Sequence, residues 1–187
     1  MRAKESYIFL APGVEEIEAI ATIDALRRAD IPIVAVAVDT TLLIKGATGQ
    51  TVVADSLLAD IDTGDADWLI VPGGMPGAPN LHASEAVSDI LLAHFTKGGR
   101  IASICAGPAI VLAPIGILKG KKATCYPGLG DKIEAGEGIY VKEPVVIDGN
   151  IITSEGPGTA LEFAGAIISA TAGKQKAEDT LSSMLAD

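Results

Sequence analysis

The chain has 187 residues, 49% of them hydrophobic but only 4% aromatic, and a formal net charge of −10. That length suits one domain over 1–187, with a core built from Ala, Ile, Val and Leu rather than from rings. The charge argues against nucleic acid and anionic membrane surfaces as partners, and no apolar run reaches bilayer length.

Tyr7 to Ala11 reads as a buried strand closed by Pro12-Gly13. It is too short for a secretory apolar region, so a cytoplasmic location is expected. Val14 to Ala29 reads as a helix, with Glu15 and Glu16 in its first turn where they suit the helix dipole. Ile31 to Val38 is the next buried strand. The stretch from Val36 to Asp55 reads as irregular β structure with turns at Lys45-Gly46 and Thr48-Gly49. Trp68 to Val71 is a third core strand, ending at Pro72-Gly73-Gly74. Ser84 to Lys97 reads as a helix with Ser84 as its N-cap. Arg100 to Ile104 is a fourth core strand and Ala109 to Ala113 a helix-like run. Ala123-Thr124 reads as a short strand and Gly128 to Ala135 as a short helix. Val145 to Ile147 and Ile151 to Thr153 form a hairpin around Asp148-Gly149-Asn150. Gly156-Pro157-Gly158 opens a helix from Thr159 to Ala172, and Lys174 to Leu185 is a last helix.

Strands and helices alternate without an internal repeat or linker, which predicts an α/β three-layer sandwich around a mostly parallel sheet. Sites in such sheets lie beyond the carboxyl ends of the strands. Pro12-Gly13, Pro72-Gly73-Gly74 and Cys105-Ala106-Gly107-Pro108 fall there. Gly156-Pro157-Gly158 is a fourth such turn, on a strand whose direction the sequence leaves open.

Cys105 carries the chemistry. It stands at a sharp strand-to-helix turn, where unpaired helix N–H groups and the positive dipole end favour thiolate. The loop from Val71 to Gly77 exposes backbone and can supply one arm of an oxyanion hole, with the Ala106 N–H as the other. It has neither dinucleotide-fingerprint nor P-loop spacing. On the first helix, Glu15, Glu18 and Thr22 share a face, whereas Glu16 points elsewhere and reads as solvated. Glu18 sits one turn in among apolar neighbours, so it is expected to be buried and, beside a thiolate, protonated. Val14, Ile17, Ile20, Ala21 and Ile23 cover more than one side of this helix, which suits a core on one side and a partner subunit on another. The two histidines, His82 in a loop and His94 in a surface helix, both precede Cys105. A Cys-His-Glu triad of the glutaminase order is therefore excluded. Two cysteines are too few for a disulfide framework and no metal-ligand spacing occurs, so no metal is expected. Cys125 reads as a small strand residue.

Gly13-Val14-Glu15-Glu16-Ile17-Glu18, Asp24 to Ala29, Pro72-Gly73-Gly74, Ile104 to Pro108 and Thr153 to Thr159 together resemble the ThiJ/PfpI superfamily, over nearly the whole chain. Within it they are similar to the branch of the Parkinson-disease-associated protein deglycase and its bacterial relatives. The resemblance implies a flavodoxin-like fold and a homodimer. It makes Cys105 the reactive, oxidation-prone cysteine, Glu18 its partner acid, and the Gly74 and Ala106 amides its oxyanion donors. Glu15, Gly73, Tyr126, Pro157 and Gly158 would complete the pocket. It implies cofactor-free glyoxalase or deglycase activity on small aldehydes or glycated groups, or else a redox-sensing, chaperone-like dimer active in oxidative stress. In that second role Cys125 could condense with a sulfenate on Cys105. The chain departs from the human-type branch at Tyr126, where that branch has His, and at Glu155 and near Thr48, where it has Arg. An anion pocket built on those arginines is weakened. Cys105-Ala106 replaces the Cys-His of the superfamily's proteases, so peptidase activity is not expected.

Overall fold

A computed structural model describes residues 4–186. Ser6–Leu10 (β1) is buried along its whole length, as an inner strand of a parallel sheet must be. Glu16–Arg28 (α1) follows. Its N-cap is Glu15, whose carboxylate accepts the Glu18 N–H at 2.8 Å, and Arg27 and Arg28 occupy its last turn. Ile33–Ala37 (β2) leads into the stretch that the sequence left irregular. There the chain forms a hairpin of Leu43–Lys45 (β3) and Thr51–Val53 (β4), then the short strand Ser56–Leu57 (β5). Trp68–Val71 (β6) is followed by Gly77–His82 (α2) and Glu85–Thr96 (α3), the latter capped by Ser84 as expected. Arg100–Ile104 (β7) runs into the Cys105 turn. Lys122–Ala123 (β8), Gly130–Ala135 (α4) and Ile139–Tyr140 (β9) form a small outlying unit. Val145–Asp148 (β10) and Ile151–Ser154 (β11) make the expected hairpin, and Ala160–Ala172 (α5) and Lys174–Ser183 (α6) end the fold.

The main sheet has the order β10-β11-β7-β6-β1-β2-β5, and every pairing but β10–β11 is parallel. β11 runs parallel to β7, so the Gly156 turn emerges on the same edge as the other three glycine-rich turns. α1, α5 and α6 pack together as one layer, and α2 and α3 pair in another. Trp68, Phe9 and Phe163 are the bulkiest buried side chains. Trp68 donates to Thr171 Oγ1 at 2.8 Å and lies under the Arg100 guanidinium, at the strand edge opposite the glycine-rich turns. No helix among the described residues is long and apolar enough to cross a membrane.

Two local expectations need correction. The run after Cys105 is not an α-helix but a π turn over Pro108–Leu112, closed by Ala113 N–H to Pro108 C=O at 2.9 Å. Pro108 has no N–H to give, and its carbonyl is taken five residues on, which widens the turn behind the elbow. His82 lies at the end of a short helix rather than in a loop. Pro79 falls in that helix's first turns, where its missing donor costs nothing.

Candidate active site

Cys105 is a non-glycine residue held at φ 63°, a left-handed conformation that needs support from its surroundings. Support comes from three sides. Its N–H donates to Ser154 C=O at 2.9 Å, and its C=O accepts the Tyr126 N–H at 2.8 Å. On the third side Gly73 lies so close that a Cβ there would stand 2.7 Å from Cys105 Cβ and 3.0 Å from Sγ. Ser103 Oγ donates to Val71 C=O at 3.0 Å and locks β7 to β6 just before the elbow. Ser103, through its hydroxyl, and Ser154, through its carbonyl, position the cysteine. Ser154 lies in the Thr153 to Thr159 segment that carries the resemblance, whereas the only sequence signal of Ser103 is a hydroxyl near the carboxyl end of β7.

The β1–α1 loop is clasped to the same place. Glu15 N–H donates to Gly73 C=O at 3.2 Å and Gly77 N–H to Gly13 C=O at 3.0 Å. Gly74, at φ 94°, presses on the backbone of Gly13 and Glu15, where no side chain fits. The amides of Gly74 and Ala106 are directed at the Cys105 sulfur.

Glu18 is fully buried, as its apolar neighbours indicated. Its Oε2 accepts the Gly73 N–H at 2.7 Å, while Oε1 is buried without a hydrogen-bond partner. Burial raises its pKa to about 7, despite the opposing influence of the Cys105 thiol and the Gly73 N–H; the Glu15 charge adds to the rise. The elbow alone does not make a thiolate. Burial first, then the neighbouring Glu18 charge, pushes the Cys105 thiol up to about 12 against the pull of the Gly74 and Ala106 amides. Cys105 as a whole residue is 7% exposed.

Glu16 is buried, contrary to the solvated reading. Its carboxylate accepts from Thr48 N–H (3.0 Å), Thr48 Oγ1 (2.8 Å) and Gln50 N–H (3.2 Å) and so holds the β3–β4 turn. Burial alone would raise its pKa, but these donors outweigh burial and the net shift is downward.

The remaining site candidates divide. Gly73 flanks the sulfur as described, and Glu15 is joined to Gly73 by its N–H. Tyr126 is half exposed and sits beside Gly156, whose Cβ position is 3.5 Å from the ring. Pro157 and Gly158 instead line a groove of about 690 Å³ against α1, with Ile17, Ile20, Leu161 and Met184. Cys125 is fully buried, with its sulfur 3.6 Å from Tyr126 C=O. Burial, and secondarily the Glu155 charge, raises its thiol to about 12, as befits a small interior residue. His94 bonds Arg100 C=O at 3.1 Å, at the other end of β7 from Cys105. His82 lines a separate cavity with Ala109, Ile110 and Lys132. Among the described residues, no group of three or more His, Cys, Asp or Glu could hold a metal ion.

A thiol, a buried carboxyl able to exchange a proton with it and two convergent amides form a constellation suited to addition to a carbonyl. Residues 4–170 match the DJ-1/PfpI family. The chain is 37% identical over 182 residues to protein DJ-1 homolog A of Arabidopsis thaliana, covering 97% of this chain but 46% of that protein, so it spans less than half of that plant relative. It is 37% identical over 183 residues to a Caenorhabditis elegans protein named glutathione-independent glyoxalase DJR-1.2, covering 97% of this chain and 96% of the relative. The solved structure of oxidized DJ-1 from Toxoplasma gondii superposes with a TM-score of 0.93 at 36% identity, covering 98% of each chain.

Proposed function

The chain belongs to the DJ-1/PfpI family, and from that premise we propose that it is a cysteine-dependent, cofactor-free enzyme of glyoxalase or deglycase type. It would act on small aldehydes or glycated groups, as a single domain that works as a cytoplasmic homodimer. The carrying observation is Glu18, fully buried with one carboxyl oxygen unpartnered and its carboxyl against the thiol of a left-handed Cys105.

With methylglyoxal, Cys105 sulfur bonds to the aldehyde carbon while Glu18 takes the thiol proton. The Gly74 and Ala106 amides stabilise the oxygen that becomes negative. The oxyanion takes that proton from Glu18 to give the hemithioacetal, and the freed carboxylate then moves a proton from the former aldehyde carbon to the neighbouring carbon by way of an enediol. The first carbon is thereby oxidised to a thioester and the second reduced to an alcohol. Water cleaves the thioester, releasing lactate and restoring the thiol. The half-exposed Tyr126, in place of a histidine, offers no further proton carrier of that kind, so rates should be modest. The name of the Caenorhabditis elegans relative supports the reading.

Lactate formation without glutathione or metal tests it. Cys105→Ser should abolish turnover, and Glu18→Gln should lower kcat by roughly 10²–10⁴-fold, as expected for a positioned proton carrier. Undiminished turnover in Cys105→Ser sinks the proposal.

A redox-sensing dimer is the second reading, favoured by the oxidized state in which the Toxoplasma gondii relative was solved. Peroxide would then convert Cys105 to sulfenic and sulfinic acid beside Glu18. A selective gain of two oxygens on Cys105 in intact-mass measurements supports it; no gain at low peroxide overturns it.

A further inference from the structure

The groups around Cys105 are unbalanced in charge. Ser154 C=O accepts the Cys105 N–H at 2.9 Å, so Glu155 is the next residue along from a direct contact of the elbow. On its other side Gly156 lies against the Tyr126 ring, and Tyr126 N–H is bonded to Cys105 C=O. Glu155 is therefore fixed between two segments that touch the cysteine. It is half-buried, and among the described residues no Lys or Arg pairs with it. On the opposite flank Glu15 is tied to Gly73 by its N–H and to α1 by its carboxylate, likewise without a cation. The nearest cations along α1, Arg27 and Arg28, are held by Asp55 and Asp24 toward the helix's far end. Between the flanks lies Glu18, fully buried with Oε1 unpartnered. Among the described residues, the positive poles directed at the sulfur are two peptide N–H groups, enough for one oxyanion and not for a carboxylate or phosphate.

We propose that Glu15 and Glu155 make the Cys105 site selective by charge, admitting neutral and cationic carbonyl substrates and rejecting anionic ones. Free dicarbonyls and glycation adducts on lysine or arginine side chains fit this rule. 2-Oxo acids and sugar phosphates do not. The inference rests on Cys105 being the reacting group, and it extends the proposed activity to a substrate class.

The test uses three methanethiosulfonates of similar size, carrying aminoethyl, hydroxyethyl or sulfonatoethyl groups. In each, the Cys105 thiolate attacks the sulfenyl sulfur, forms a disulfide and releases methanesulfinate. The ratio of cationic to anionic rates cancels the thiolate fraction and reports the local field alone. Peptide mass mapping assigns the adduct to Cys105. At low salt the ratio should exceed that of 2-mercaptoethanol by about tenfold, and added salt should narrow it. Glu155→Gln should lower it about threefold, and Glu15→Gln, whose amide oxygen can still cap α1, by a similar factor. A ratio no higher than that of 2-mercaptoethanol, or one indifferent to both substitutions, overturns the proposal. A protein that makes no lactate yet keeps the high ratio would sink the glyoxalase reading alone.

Discussion

At neutral pH the Cys105–Glu18 pair cannot carry two negative charges, because burial and mutual repulsion both oppose the second ionisation. The sign of the resulting pH dependence follows directly. Glu18 titrates near 7 in the folded protein, above its ordinary value of 4.5. Between those two pH values the native state binds the proton that the unfolded chain has lost, so stability falls as pH rises through this window and levels off above it. Glutamine imitates the protonated carboxyl. In urea denaturation Glu18→Gln should match wild type near pH 4 and exceed it by roughly 3 kcal/mol at pH 8. A constant gap across pH would place the Glu18 pKa at its ordinary value. Cys105 and Glu18 were both legible in the sequence, one from the turn around it and the other from its apolar neighbours. The protonation of the thiol was not legible, because desolvation depends on what packs over the sulfur. Glu16 was misread for a related reason: its partners, Thr48 and Gln50, lie more than thirty residues away.

Among the elements, the elbow and the β3–β4 hairpin show how loops from distant strands are made into one rigid edge. Gly73, Gly74 and Gly77 allow the β6 loop to contact the Cys105 elbow and the β1–α1 loop at distances no Cβ permits. The hairpin is joined to the same loop by Gly13 N–H to Lys45 C=O at 2.7 Å and Ala47 N–H to Val14 C=O at 2.8 Å. Its turn depends on the Glu16 carboxylate. Glu16→Ala removes the acceptor for two amides and a hydroxyl and should destabilise the protein by about 2 kcal/mol, the scale of hydrogen bonds to a charged group. Amide hydrogen exchange at Thr48 and Gln50 should accelerate before that of β1 or β7. Unchanged exchange there would mean that the backbone contacts alone hold the turn. The hairpin turns were visible in the sequence; the carboxylate that fastens them was not.

For the whole molecule, the outer face of α1 is one apolar surface that the fold leaves exposed. Ile17 and Ile20 are 58% and 47% exposed beside the groove that includes Pro157, Leu161 and Met184. Apolar residues on a surface of this kind mark an interaction site. Under the homodimer proposed above, the wild type should sediment at twice the chain mass and Ile17→Lys should shift it toward the monomer. A dimer that withstands Ile17→Lys would place the interface elsewhere.

The sequence by itself determined the layered α/β class, the core strands and the cysteine on a strand-to-helix turn. Each follows from local signals: runs of β-branched residues, helical periodicity, and glycine and proline punctuation. Only the tertiary structure decided which loops converge on Cys105, where the site's proton resides and how the Glu18 carboxyl comes to lie against the thiol. Those depend on β11 running parallel beside β7 and on the burial this creates. Parallel pairing joins residues far apart in the chain, and desolvation is a property of the assembled core that no local window of sequence contains.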